Sequence, residues 1–105
     1  AKDIGVDLAD LDRFNDFYRL PAEQSIHHCN YYSTGKLYGM DMSSGYAVKA
    51  LDLKDDMDLL ELCCAPGNKL MYARDLMNGG TITGVDISQP RMEITRSLIK
   101  KYGHE

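Results

Sequence analysis

Leu59-Leu60-Glu61-Leu62-Cys63-Cys64-Ala65-Pro66-Gly67-Asn68-Lys69, followed by Thr81-Ile82-Thr83-Gly84-Val85-Asp86-Ile87-Ser88, decides the fold. The run Leu59 to Cys63 is nearly continuously apolar and reads as a strand covered on both faces. A tight loop through Pro66 and Gly67 follows. Leu70, Ala73, Leu76 and Met77 then recur at helical spacing, so residues 69–78 read as a helix that ends at the C-cap signal Asn78-Gly79-Gly80. The second strand closes on an acid, Asp86. In an open α/β sheet, ligands sit beyond the carboxyl ends of the strands. There a glycine turn admits them to the backbone, and an acid about 20 positions on takes ribose hydroxyls. The stretch therefore reads as the front half of a nucleotide-cofactor site.

Downstream, Ser88 can cap a last helix with Pro90 in its first turn, where a missing N–H costs little. Ile94, Leu98 and Tyr102 mark its inner side, and Gly103 stops it. Upstream, Lys54-Asp55-Asp56-Met57-Asp58 is a polar turn. Ser43-Ser44 offers an N-cap for a helix through Tyr46, Val48, Ala50 and Leu51, and residues 36–41 read as a short strand. Leu8, Leu11, Phe14 and Tyr18 predict an amphipathic helix over residues 7–19, ending before Pro21. The expected class is α/β, with a partial Rossmann-like parallel sheet in the order β-α-β-α. Residues 1–35 form a helical or irregular lead-in and residues 36–105 the cofactor-binding part. Two parallel strands form one βαβ unit, a marginal sheet with an exposed edge, so self-association through that edge is expected.

The 105 residues hold at most one small domain, with a formal charge of −4. That balance does not describe a body that grips nucleic acid unaided. The acids Asp3, Asp7, Asp10, Asp12 and Asp16 gather at the start, and Arg91, Arg96, Lys100 and Lys101 lie along the last helix; a solvated face accounts for both. Three cysteines, two of them adjacent, argue against a disulfide framework, and no apolar run is long enough for a membrane span. No signal peptide opens the chain, and an intracellular setting, cytoplasmic or nuclear, is expected. His27-His28-Cys29 lacks a second ligand pair at zinc-finger spacing, so no metal site is assigned, and Tyr31 and Tyr32 are read as packing residues.

Within the loop, Gly67 lets a ligand approach the backbone, Pro66 fixes φ ahead of it, and Lys69 offers a cation to a carboxylate or other anion. The start of the next helix adds N–H groups and a favourable dipole. One glycine is not a dinucleotide fingerprint, and no phosphate-loop Gly-Lys-Ser/Thr is present, so the nucleotide's identity stays open on motif grounds. Asp86 has a second reading as a helix-capping acid, and Arg91 reaches either the cofactor or solvent.

Leu62-Cys63-Cys64-Ala65-Pro66-Gly67-Asn68-Lys69 resembles the Leu-Cys-Ala-Ala-Pro-Gly-Gly-Lys signature of the Sun (RsmB-like) family of RNA 5-methylcytosine methyltransferases. The resemblance extends back to Tyr38-Gly39-Met40-Asp41-Met42-Ser43-Ser44 and forward through Asp86, over residues 36–103. It implies a class I methyltransferase fold, S-adenosylmethionine as cofactor and tRNA or rRNA as partner. Cofactor contacts would then fall on Cys63, Cys64, Ala65, Pro66, Gly67, Asn68, Lys69, Asp86 and Arg91. Asn68 stands where the family has a second glycine, a replacement rationalised by the ease with which Asn visits φ > 0. Leu70 stands in place of the usual threonine. In the family a cysteine thiolate attacks cytosine C6, C5 takes the methyl group, and a second cysteine helps release the enzyme. Those cysteines lie in Pro-Cys and Thr-Cys motifs, and this sequence contains neither. No catalytic residue is therefore assigned, and the chain reads as the N-terminal part of a longer methyltransferase. The alternative is a non-catalytic or degenerate S-adenosylmethionine-binding module that acts through a partner. A dinucleotide oxidoreductase is disfavoured by the single glycine, and a zinc or redox protein by the lack of a Cys-x-x-Cys.

Overall fold

The computed structural model describes residues 11–14, 17–27 and 29–104, with the side chain of Phe14 left aside. Its contacts group into two compact units, Ala1–Gly39 and Met40–Glu105. In the first, strands β1 (Arg13–Phe14) and β2 (Phe17–Tyr18) pair antiparallel, Arg13 opposite Tyr18 and Phe14 opposite Phe17. The Arg19 amide extends the ladder by donating to the Asp12 carbonyl at 2.8 Å. This replaces the helix expected over residues 7–19; its first part, with Leu8, lies outside the described residues. The spacing of Leu11, Phe14 and Tyr18 fits a helix. The same stretch, however, sets aromatic residues on both sides of Asn15-Asp16, two turn-forming residue types, and cross-strand pairs such as Arg13 over the Tyr18 ring at 5.7 Å reward the hairpin. A single turn of helix, α1 (Asn30–Ser33), follows. Tyr32 meets His27 edge-on at 5.1 Å, whereas Tyr31 stays largely exposed with the Lys36 ammonium over its ring.

The second unit runs α2 (Met42–Lys49), β3 (Asp58–Glu61), α3 (Asn68–Leu76), β4 (Thr81–Gly84) and α4 (Gln89–Lys101). Strands β3 and β4 pair parallel, from Asp58 opposite Thr81 to Glu61 opposite Gly84, so the expected β-α-β-α order forms. Among the described residues, residues 36–41 pair with no strand, and Asp41 is extended (φ −67°, ψ 135°) ahead of α2. That helix starts one residue ahead of the expected serine cap, with Asp41 at the N-cap and no side-chain cap bond. Ser43 and Ser44 sit in its first turn instead.

The core gathers on α3. Leu70, Met71, Tyr72 and Ala73 are all buried, and four consecutive buried positions mean that neighbours press on more than one side of the helix; α2 and β4 are two of them. Of the expected stripe, Leu70, Ala73 and Met77 are buried and Leu76 is half-buried, but Met71 and Tyr72 lay beyond a one-face reading. On α4 the inward line also shifts. Ile94 is 52% exposed, while Thr95, a polar residue, is 1% exposed. Thr95 can be buried because its hydroxyl donates to the Arg91 carbonyl at 3.0 Å within the same helix.

Strand β3 is not covered on both faces. Leu60 (59% exposed), Leu62 (69%), Val85 and Ile87 point to solvent from one side of the sheet, whereas Leu59, Glu61, Ile82 and Gly84 face inward. Among the described residues no helix is long and apolar enough to cross a membrane.

Three glycines of the unit, Gly67, Gly80 and Gly103, have left-handed conformation. At Gly103 (φ +70°) the His104 amide donates to the Ile99 carbonyl and the Gly103 amide to the Lys100 carbonyl, the paired bonds of a Schellman stop, and a Cβ there would meet open space. At Gly80 (φ +69°) a Cβ would run into the Met57 carbonyl at the mouth of β4. Gly103→Ala is therefore expected to cost about 1 kcal/mol from φ alone, and Gly80→Ala roughly 2 kcal/mol or more. Urea unfolding of the two variants checks the order; a Gly80→Ala midpoint no lower than that of Gly103→Ala would contradict the crowding.

Candidate functional site

Strand β3 ends at Glu61, and the chain crosses to α3 through residues 62–67, with the Ala65–Pro66 peptide in cis. Gly67 is the N-cap of α3 at φ +108°, ψ 1°. A Cβ on it would lie 3.0 Å from Thr95 Cγ2, so both the backbone conformation and the packing of α4 call for glycine. The Gly67 carbonyl accepts the first helical bond, from the Met71 amide at 2.9 Å. Asn68 is already the first residue of α3 and does not have positive φ. Its replacement of glycine thus needs no left-handed tolerance: the conformation that requires glycine sits at Gly67 alone.

Asp86 lies two residues beyond β4. Its Oδ2 accepts from the Ala65 amide at 3.1 Å and its Oδ1 from the Ser88 amide at 2.9 Å. The Ser88 amide, helped by that of Ala65 and by the nearby Arg91 charge, holds the Asp86 carboxyl below the usual aspartate range against the opposing effect of desolvation. Ser88 caps α4, its Oγ accepting from the Arg91 amide at 3.5 Å. Arg91 donates from its guanidinium to the Ala65 carbonyl at 2.7 Å. Asp86 thus bonds the approach to α4 with one carboxylate oxygen and the loop with the other, while Ser88 is the N-cap itself.

On the other side of the loop a cleft of ≈ 290 Å³ is lined by Cys63, Cys64, Ala65, Pro66, Gly67, Asn68 and Lys69, with Glu61 from the end of β3 and Met40, Asp41 and Ser44 from the start of α2. The seven loop residues singled out in the sequence thus come together around one cavity. Asp86 and Arg91 do not line it; they reach the loop through the two polar groups of Ala65. Glu61, Asp41 and Ser44 were not singled out. The signal available for Glu61 was a lone acid in an otherwise apolar strand; Asp41 and Ser44 come from a helix far off in sequence. Burial pushes the Glu61 carboxyl up, and the Lys69 charge partly offsets it.

The three cysteines are free thiols. Cys64 is buried with its Sγ 3.5 Å from Met92 Sδ, and burial, reinforced by the Glu61 and Asp86 charges, pushes its thiol up. Such a thiol is held away from the thiolate that a nucleophile needs. Cys29 is fully buried and Cys63 is exposed at the cleft. Among the described residues no three His, Cys, Asp or Glu side chains gather as metal ligands; His28 lies outside them.

The two carboxylates make opposite pH signatures. A folded-state pKa below the unfolded value means that Asp86 contributes stability above about pH 3.9 and loses it as pH falls through its lower folded value. A raised Glu61 pKa means a penalty that appears as pH rises above about 4.3 and is complete above the folded value. At pH 7 Asp86→Asn is expected to lower the urea midpoint and Glu61→Gln to raise it, with both differences shrinking below about pH 4. Midpoints measured from pH 3 to 8 check both signs.

No family model matches the chain. Over 100 residues it is 27% identical to the probable ribosomal RNA small subunit methyltransferase B of Bacillus subtilis, covering 94% of this chain and 22% of that protein. Over 89 residues it is 27% identical to the 25S rRNA (cytosine-C(5))-methyltransferase NSUN5 of Arabidopsis thaliana, covering 84% and 16%. Among solved structures, NSun6 from Pyrococcus horikoshii with SFG superposes with a TM-score of 0.70 at 28% identity, over 82% of this chain and 22% of that one. The chain thus spans less than a quarter of the length of each. By sequence and by fold it is a homologue of the Sun (RsmB-like) RNA cytosine-C5 methyltransferases, matched to one segment of them.

Proposed function

We propose that this chain is the S-adenosylmethionine-binding segment of an RNA cytosine-C5 methyltransferase. The observation that carries the reading is the loop Cys63–Lys69. It is folded over a left-handed Gly67, lines a cleft, and is held from behind by the carboxylate of Asp86. The relatives named as rRNA methyltransferases, and a structural relative solved with SFG, an S-adenosylmethionine analogue, support it.

In this reading the amino-acid end of the cofactor lies in the cleft against the backbone of Cys63 to Gly67. Lys69 faces its carboxylate, and Glu61 is the acid available to its ammonium. An ionised carboxylate has about four acceptor positions. Two on Asp86 are taken by backbone amides, which leaves the others for the ribose hydroxyls. When bound, S-adenosylmethionine supplies an electrophilic methyl group. This chain's residues bind and orient it and do not supply the nucleophile: Cys64 and Cys29 are buried, Cys63 belongs to the cofactor loop, and the Pro-Cys and Thr-Cys motifs are absent from these residues. The substrate of the longer protein is an RNA, either tRNA or rRNA, in a cell compartment that keeps its thiols reduced. A non-catalytic S-adenosylmethionine-binding module acting through a partner is the second reading, favoured by the absence of the nucleophile from these residues.

The test is calorimetric titration of S-adenosylmethionine and its demethylated product into the full-length protein, with Asp86→Ala and Lys69→Met beside the wild type. Both variants are expected to bind roughly ten- to a hundredfold more weakly, the scale of a lost charge-assisted hydrogen bond. A folded wild-type protein that binds neither ligand would sink the reading. Binding without methyl transfer to any RNA would favour the module.

A further inference from the structure

We infer that Arg91 is a positioning residue: it holds the cofactor loop by the Ala65 carbonyl and acts on ligand binding through that hold. The inference rests on the cofactor reading above for its consequence and on the geometry for its substance. Arg91, Met92 and Thr95 fall on one side of α4, at i, i+1 and i+4. Each meets a different loop residue: Arg91 donates to the Ala65 carbonyl at 2.7 Å, Met92 Sδ lies 3.5 Å from Cys64 Sγ, and Thr95 Cγ2 occupies the space that a side chain on Gly67 would need. The loop is therefore laid along α4 as on a template.

Arg91 is the polar anchor of that template. Ala65 is bracketed, its amide held by Asp86 and its carbonyl by Arg91, and Asp86 is in turn tied to the first turn of α4 through the Ser88 amide. The Arg91 guanidinium is engaged with the Ala65 carbonyl, whereas Lys69 is a cation that lines the cleft. Loss of Arg91 frees the Ala65 carbonyl, loosens the loop ahead of Gly67 and weakens every ligand that uses the loop, whatever its charge.

The experiment compares wild type, Arg91→Met and Arg91→Lys in the full-length protein by two readouts. One is amide hydrogen exchange over residues 63–69 without ligand. The other is titration with S-adenosylmethionine and with 5′-methylthioadenosine, which lacks the amino-acid end. Arg91→Met is expected to speed loop exchange and to weaken S-adenosylmethionine roughly tenfold or more, and 5′-methylthioadenosine less, since it lacks the end that lies on the loop. Arg91→Lys, whose ammonium can still donate one bond, is expected to recover part of each. Weakened S-adenosylmethionine binding with unchanged loop exchange would overturn the assignment and make Arg91 a direct contact. Should Arg91→Met fail to fold, the same two readouts on Arg91→Lys decide. If the wild type binds neither ligand, the cofactor reading fails while the exchange comparison still judges the anchor.

Discussion

The missing Cβ of Gly67 is the constraint on which the rest of the second unit depends. At φ +108° the backbone turns out of the loop after β3 and into α3, and the same missing carbon leaves room for the Thr95 methyl of α4. A side chain there would have to displace α4, and α4 carries the groups that hold the loop. The approach of Gly84 to Cys64 is similar: a Cβ on Gly84 would lie 2.8 Å from the Cys64 sulfur and from Leu70. Loop, α3, β4 and α4 are thus packed through two glycines, which is why so short a βαβα run builds a defined site.

Electrostatics complete what packing begins. Asp86 accepts two backbone amides and is stabilised as an anion, whereas Glu61, half-buried at the end of β3, is destabilised as one. A desolvated acid facing a cleft beside Lys69 is poor for stability and suited to binding, the usual sign that a site and not the core has set the residue type. Cys64 shows the converse. Its position beside the cleft invites a chemical role, but its burial against Met92 and two nearby negative charges make it a packing residue.

The sheet is the unfinished part of the structure. Parallel strands are normally covered on both faces, but Leu60, Leu62, Val85 and Ile87 project from one side of β3 and β4 into solvent. The run of apolar residues in β3 is therefore richer than two strands and two helices need. This fits a chain matched to less than a quarter of the length of its relatives.

Sequence by itself determined the β-α-β-α order, the loop and its glycine, the acid after the second strand, the Ser88 cap and the Gly103 stop. Each of these is a local matter: an apolar run, a residue type that tolerates a special φ, or a side chain that bonds its own neighbourhood. Tertiary structure decided what depends on partners distant in the chain. Residues 13–14 and 17–18 pair as antiparallel strands because cross-strand pairs outweigh a helical spacing that Leu11, Phe14 and Tyr18 also satisfy. Thr95 turns inward in place of Ile94 because Gly67 leaves a small space that its methyl fills while its hydroxyl bonds within its own helix. Arg91 meets Ala65, and Asp41 and Ser44 meet the loop, only once α4 and α2 have packed. No spacing along the chain encodes those contacts, since they arise where separate elements close on one another.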